Sequence, residues 1–314
     1  MGRLLFHSPR METLAKKVKA LNQFQEDLKL GQIDWKKFAD GFPDNMIVNA
    51  HKIKSSDVIF LASFDTPATI FNQLSVIYAL PRYLAKSLKV FLPYYPTGTM
   101  ERVETQGQIA TAMTLARMLS ASPMTQTGPV QFIIFDIHAL QEQFYFSDQV
   151  LVRLETAINL IDAHCPKDEF AVAFPDEGAR KRFGRFFPGY YKIICDKIRD
   201  GDKRYITIKE GDPSGRKIIL IDDLIQTGGT LIQCAKTLLE NGADVVLAYA
   251  PHGVFPKGWP SFIEKMDNSI KKVFITDSIP QGSMNLPDGA VGIEDTQMIE
   301  TLSLAPLINK IINE

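Results

Sequence analysis

The chain has 314 residues, enough for two domains of ordinary size or one large one, and 45% hydrophobic against 23% charged residues excludes a disordered chain. Lys and Arg number 35 against 36 Asp and Glu, a formal net charge of -1, so the basic surplus of a duplex-binding protein is missing and no nucleic-acid partner is expected. Cys165, Cys195 and Cys234 lie far apart with neither disulfide-framework nor zinc spacing, and read as reduced, packed thiols of a cytoplasmic protein.

The opening MGRLLFHSPR lacks an apolar signal core, and Gly2 is not followed by Ser or Thr where a myristoylation signal needs one. Thr66–Pro81 is the most membrane-like stretch, but it is too short and carries Asn72 and Gln73, so no membrane partner is expected. In chain order, Val58–Ala62, Lys89–Tyr94, Gln131–Ile137, Phe170–Phe174, Tyr191–Cys195, Lys217–Ile221, Asp244–Ala250 and Lys272–Thr276 read as strands. Most are continuously apolar, as parallel strands covered on both faces should be. Amphipathic segments at Gly107–Leu119, Gly229–Asn241 and Trp259–Met266 read as helices, with Asn241-Gly242 as a stop signal. This alternation predicts an α/β fold with right-handed crossovers.

A weak internal echo adds a duplication. Val58–Pro96 runs strand, turn (Asp65-Thr66-Pro67-Ala68-Thr69), helix and strand; Ile218–Gly253 repeats the order around Gln226-Thr227-Gly228-Gly229-Thr230. The first copy lacks the acidic pair of the second. The expected organisation is an N-terminal domain over residues 1–150, a C-terminal domain over 151–295, and a C-terminal helix, Thr296–Asn313, within a 296–314 segment packed back on the body.

The chemistry concentrates at Ile218–Thr230, IILIDDLIQTGGT, where a buried strand meets a helix. A helix start offers unpaired N–H groups and a positive dipole end, which together suit phosphate. Gly228 and Gly229 let the backbone approach the anion, and Thr227 and Thr230 add hydroxyl donors or caps. Asp222 and Asp223 at the strand end are costly unless used, and ribose hydroxyls are suitable donors for them. Neither GxxxxGK[ST] nor GxGxxG occurs, so nucleotide P-loop and dinucleotide readings lack their fingerprints. The loop reads as a phosphoribose grip, and does not by itself separate enzymes that make a phosphoribosyl diphosphate from those that consume it.

Phe135-Asp136-Ile137-His138 closes another apolar strand at the sheet edge where α/β sites form, with Asp136 and His138 on one face by alternation. Read alone, a capping Asp and a packed His account for them as well as a metal or nucleotide role does. Asp176 is a second strand-end carboxylate, equally open. Lys197 and Arg199 face one way at period two and lead into the charged segment Asp200–Gly215, with alternating Tyr205-Ile206-Thr207-Ile208 and a Gly211-Asp212-Pro213 turn signal. The segment reads as a β-hairpin, either solvated or a lid bringing two cations to a polyphosphate.

Together, Phe38-Ala39-Asp40-Gly41, Asp136-Ile137-His138-Ala139, Phe174-Pro175-Asp176, Lys197-Ile198-Arg199 and Asp222–Thr230 resemble ribose-phosphate pyrophosphokinases, enzymes that make phosphoribosyl pyrophosphate (PRPP), over nearly the whole chain. Pro96–Gly107, Phe135–Phe146 and Ile198–Gly211 look like the divergent class II branch, independent of phosphate activation. The resemblance implies two similar phosphoribosyltransferase-like domains, each a mostly parallel sheet flanked by helices, with a flag-like hairpin, in a homo-oligomer. It implies transfer of the β,γ-diphosphoryl group of ATP to the C1 hydroxyl of ribose 5-phosphate, with Mg2+, releasing AMP. Lys197 and Arg199 would be catalytic; Asp136, His138 and Asp176 would hold the metal; Asp222, Asp223, Gln226, Thr227, Gly228, Gly229 and Thr230 would hold ribose 5-phosphate. Phe38, Asp40, Arg102 and His138 would contact ATP.

The pattern departs from the main branch at Phe42, where a carboxylate is usual, at Thr97–Glu101, which lacks an Arg-Gln pair, at Gln226 in place of an acid, and at Ser147, with Asp148 one place on. Two other readings compete. A phosphoribosyltransferase shares the loop but has no need of the duplicated domain or of Asp136 and His138. A silent regulatory partner would have lost the Lys-Ile-Arg cations or the loop, and both are present.

Overall fold

The computed structural model describes residues 2–22, 28–200, 203–279 and 297–314, with the side chains of residues 199, 200, 203 and 204 outside that description. The chain forms two units, Met1–Thr156 with Ser303–Glu314, and Ala157–Leu302.

The first unit is built on β1 (Arg3–His7), β2 (Leu28–Leu30), β5 (Asp57–Leu61), β6 (Ser87–Leu92), β7 (Val130–Phe135) and β8 (Val150–Glu155), with β3 (Ile33–Lys37) and β4 (Pro43–Ile47) forming a separate antiparallel ribbon. The main sheet has the order β2-β1-β5-β6-β7-β8, every neighbouring pair parallel. Both faces are buried: Val58 and Phe60 join a core with Val90, Leu92, Phe132 and Ile134, while Ile59 and Leu61 on the opposite face are also buried. Each such side chain contributes about 1.5–3 kcal/mol by leaving water, which explains why these strands read as unbroken apolar runs. Helices α1 (Glu12–Leu21), α2 (Pro67–Arg82) and α3 (Thr111–Ser120) supply the crossovers. Residues 150–155 belong to this unit because β8 is the edge strand beside β7.

The second unit has the sheet order β11-β10-β9-β12-β14-β16-β17, made of β9 (Phe170–Phe174), β10 (Lys192–Asp200), β11 (Lys203–Glu210), β12 (Lys217–Ile221), β14 (Val245–Tyr249), β16 (Lys272–Thr276) and β17 (Ile299–Leu302). All pairs are parallel except β10 with β11. That antiparallel pair is the expected hairpin, Lys197 opposite Ile206 and Arg199 opposite Arg204. A two-residue ladder joins β13 (Leu224–Ile225) to β15 (His252–Gly253). Helices α4 (Glu177–Phe183), α5 (Gly229–Glu240) and α6 (Trp259–Met266) complete the unit. Ile218, Leu220, Val246 and Ala248 pack on the face of α5 and α6, and Ile219, Ile221, Leu247 and Tyr249 pack on the other with Ile158 and Ile161. The fold is thus α/β, with two mostly parallel sheets and a flag-like hairpin.

The echo is structural. β5-α2-β6 and β12-α5-β14 are each a strand, helix and adjacent parallel strand. The reading of Thr296–Asn313 as one helix is corrected. Ile299–Leu302 is an edge strand on β16, and the helix spans only Ala305–Ile312. Pro306 sits in its first turn, the place where a missing N–H costs least. Within the first unit, its C-terminal carbonyls are met by Arg3, 3.2 Å from Ile312 O, and Lys89, 2.9 Å from Ile311 O, cations placed where the helix dipole is negative.

Candidate active site

In the second unit, β12 delivers Asp222 and Asp223, and α5 begins at Gly229 with Gly228 as its N-cap. Gly228 has φ +73 and offers no side-chain cap, so the first N–H groups of α5 receive no internal acceptor from that position. A Cβ at Gly228 would lie 2.3 Å from Phe262 Cε2, so α6 packs directly against the turn and requires glycine there. The turn is fixed from beside: Val254 N–H donates to Ile225 O at 2.9 Å and His252 N–H to Asp223 O at 3.3 Å. Gln226, Thr227 and Gly229 are exposed, Gly228 and Thr230 partly so, and the polar loop therefore faces solvent above a buried Ile225. Gln226 and Thr227 also line a shallow cavity with Lys257, Ser261 and Lys265.

The acidic pair is divided in character. Asp223 is buried and its Oδ2 accepts from Arg182 Nη1 at 3.0 Å. Asp222 is more accessible, and its Oδ1 accepts from the Asp223 N–H at 2.9 Å. Burial, and then the neighbouring Asp223 charge, push the Asp222 carboxyl up to about 8.

Asp176 and Lys197 meet each other. Lys197 Nζ lies 2.8 Å from Asp176 Oδ2, while Asp176 Oδ1 caps α4 by accepting from Ala179 N–H at 2.9 Å. Burial opposes the Asp176 charge, but Lys197 and the Ala179 and Gly178 N–H groups outweigh it and hold the carboxyl below the usual range. Asp176, which sequence left open, thus both caps α4 and pairs with a cation. Arg199 lies on β10 opposite Arg204, and its side chain is outside the described residues. Lys209, on β11, reaches Glu177 Oε2 at 3.8 Å.

In the first unit, β7 stops at Phe135 and Asp136 takes φ +43, so the alternation that would align Asp136 with His138 does not continue past the strand. This corrects the expected common face. Asp136 is buried and its Oδ1 accepts from Thr156 Oγ1 at 2.5 Å, while His138 is half-buried beside Gly98. Phe38 and Asp40 occupy the turn between β3 and β4. There Asp40 Oδ1 accepts from Phe42 N–H at 3.1 Å, and Phe38 is 57% exposed, an aromatic face turned to solvent rather than to the core. Phe42 itself rests edge-on against Phe71 at 6.4 Å. Arg102 is largely exposed between Glu101 and Glu104, at 3.4 and 3.5 Å. Among the described residues, no group of three or more His, Cys, Asp or Glu side chains converges on one point as a protein-only metal cage.

Sequence reasoning missed Arg182 and the His252–Phe255 brace. Nothing in Arg180-Lys181-Arg182 marks which cation turns toward the loop, and the brace is remote in sequence. All three cysteines are buried and unbridged.

Residues 4–122 match the N-terminal domain of ribose phosphate pyrophosphokinase, and residues 193–310 match the phosphoribosyl synthetase-associated domain. The chain is 47% identical over 311 residues to ribose-phosphate pyrophosphokinase 3, chloroplastic, of Oryza sativa subsp. japonica, covering 96% of this chain and 74% of that protein. The chain belongs to the ribose-phosphate pyrophosphokinase family. Ribose-phosphate pyrophosphokinase 4 of Arabidopsis thaliana is likewise 47% identical, over 88% of this chain and 84% of its own length. The phosphoribosylpyrophosphate synthetase from Mycobacterium smegmatis shares the fold, with a TM-score of 0.79 at 24% identity over 100% of this chain and 98% of the other. The protein is therefore an enzyme, a ribose-phosphate pyrophosphokinase that makes PRPP. Some relatives are named chloroplastic and others mitochondrial. Among the described residues no helix is long and apolar enough to cross a membrane.

Proposed function

We propose that this pyrophosphokinase moves the β,γ-diphosphoryl group of ATP onto the C1 hydroxyl of ribose 5-phosphate, with Mg2+, as a cytoplasmic homo-oligomer of the phosphate-independent class II type. A bond forms between the C1 oxygen and the β-phosphorus, the bond from the β-phosphorus to the α,β-bridging oxygen breaks, the C1 hydroxyl proton leaves, and AMP departs. The observation that carries the reading is the uncapped glycine start of α5, with its N-cap Gly228 five positions after the second of two carboxylates. The 5-phosphate belongs at Gln226–Thr230, where N–H groups lack a side-chain cap, and the ribose hydroxyls belong at Asp222 and Asp223.

Lys197 and Arg199 would neutralise the charge that builds on the transferred group, which is where such reactions gain most of their rate. Lys197 is held by Asp176, so the ammonium is oriented at 2.8 Å before substrate arrives. Asp136 in the first unit and Asp176 in the second would each offer carboxylate oxygens to Mg2+, a hard cation that retains water and substrate phosphate ligands and needs no full protein cage. When bound, Mg2+ would offset polyphosphate charge. His138 would contact the metal or the ATP carrying it. Phe38 offers an exposed ring on which adenine can stack, next to Asp40, with Arg102 available to the phosphates.

The test is an assay of purified protein with Mg2+, ATP and ribose 5-phosphate. AMP and PRPP are expected in equal amounts. PRPP consumption on addition of nucleobases, with no AMP release, would overturn the reading in favour of a phosphoribosyltransferase.

A further inference from the structure

We propose that Arg182 is a positioning residue for sugar recognition: from α4 it locks Asp223, leaving Asp222 as the carboxylate presented to the ribose hydroxyls. The inference rests on the ribose 5-phosphate reading of the loop.

Two adjacent carboxylates at a strand end repel one another, and burying either without a partner is unfavourable. The fold resolves this asymmetrically. Arg182 Nη1 reaches Asp223 Oδ2 at 3.0 Å, and the two side chains are only 16% and 10% exposed. The guanidinium also lies 4.8 Å from the Phe183 ring centroid, so an apolar face and a carboxylate together restrict it. Asp222 has no ion pair among the described residues and is the more exposed of the two. Its Oδ1 already accepts the Asp223 N–H, which orients the carboxylate over the loop. A ligand bringing hydroxyl groups therefore meets Asp222 as the carboxyl that no cation among the described residues already holds.

The same helix explains why Arg182 can act at this distance from the sugar. α4 is capped by Asp176, the partner of Lys197, and carries Arg182 near its other end. One element thus sets both the carboxylate that holds the lid lysine and the cation that holds the acidic pair. Asp223 is further fixed through its backbone carbonyl by His252 N–H at 3.3 Å, so the strand end is held from the backbone while Arg182 orients the side chain.

The full-length enzyme carrying Arg182→Gln, Arg182→Lys, Asp223→Asn and the Arg182→Gln/Asp223→Asn pair tests this. Calorimetry gives Kd for ribose 5-phosphate, and steady-state rates give kcat and the KM for ATP. Arg182→Gln is expected to raise the ribose 5-phosphate Kd about tenfold or more, since it removes the guanidinium that pairs with a buried carboxylate. Saturating kcat and the ATP KM should stay within about twofold, the pattern of lost ground-state positioning. Arg182→Lys should recover part of the loss, and the double variant should be no worse than Asp223→Asn alone, because the two act as one unit. An unchanged Kd in Arg182→Gln, additive losses in the double variant, or equal loss of sugar affinity, ATP affinity and Tm without rescue by lysine would overturn the proposal. If Arg182→Gln does not fold, Asp223→Asn decides: an unchanged ribose 5-phosphate Kd there also overturns it. Failure of the wild-type enzyme to bind ribose 5-phosphate would instead remove the reading of the loop itself.

Discussion

Gly228→Ala is the sharpest probe of how the phosphate loop is built. The residue has φ +73, and the added Cβ would fall 2.3 Å from Phe262 Cε2 and 2.5 Å from Cδ2. Holding an L-residue in the left-handed region costs about 1–2 kcal/mol, and displacing a packed ring adds about 1–3 kcal/mol. The sum, roughly 2–5 kcal/mol, corresponds to a fall in Tm of roughly 5–15 °C for a unit of this size. Gly229 is the internal control. A Cβ there meets only Thr227 Oγ1 at 3.9 Å and carries no positive φ, so Gly229→Ala should leave Tm nearly unchanged. Its methyl group instead enters the approach to the α5 N–H groups, and ribose 5-phosphate affinity should drop. Thermal unfolding by circular dichroism and calorimetric titration separate the two effects. Adding Phe262→Leu to Gly228→Ala should return part of the lost Tm by removing the overlap but not the backbone strain. If Gly228→Ala and Gly229→Ala have the same Tm, the packing of α6 on the turn is not what demands glycine.

Asp222→Asn should trade stability against binding. Its carboxyl is pushed up to about 8, so folding favours the protonated form, and the stability linked to it is complete in acid and is lost as pH rises through that value. The asparagine variant should therefore unfold at higher temperature than wild type at about pH 9 and match it at about pH 4, while binding ribose 5-phosphate poorly; parallel pH–Tm curves would refute the assignment. Lys197→Ala should lower kcat far more than it weakens ribose 5-phosphate binding, because a contact made in the transition state acts on rate. Equal losses in both would make Lys197 a binding residue.

The strands were legible because burial on two faces leaves little room for polar residues. Phe170–Phe174, Lys217–Ile221 and Lys272–Thr276 are read to the residue, as is the helix Trp259–Met266. Edges were harder. β3 and β4 form a two-stranded ribbon with no fully buried residue, and β17 looked helical because Ile299 and Leu302 sit three apart, a spacing that a helical stripe also has. The loop Asp222–Thr230 was visible because its chemistry is local: acids, glycines and hydroxyls within nine positions. Arg182 and His252 were not, because a pairing across 41 residues and a brace from a later strand leave no spacing to read. At Asp136 the pattern misled, since one residue at φ +43 is enough to cancel alternation.

The two echoing helix starts differ in the way the proposed phosphoribose grip requires. In the first copy the helix start is answered from within. Thr66 and Thr69 form a reciprocal capping box, Pro67 opens the helix, and Asp65 pairs with Arg10 at 3.1 Å. An anion arriving there would have to displace the Thr66 side chain from the Thr69 N–H and face the Asp65 charge, which burial already drives toward protonation. In the second copy Gly228 replaces the capping hydroxyl, and the acids are withdrawn to the strand end, one of them tied to Arg182. The two loops share a backbone plan and differ in what satisfies the first turn of the helix: the Thr66 side chain at α2, and, on the proposed function, a ligand phosphate at α5. On that reading, a glycine N-cap in place of a hydroxyl cap leaves the first N–H groups of α5 for an anion.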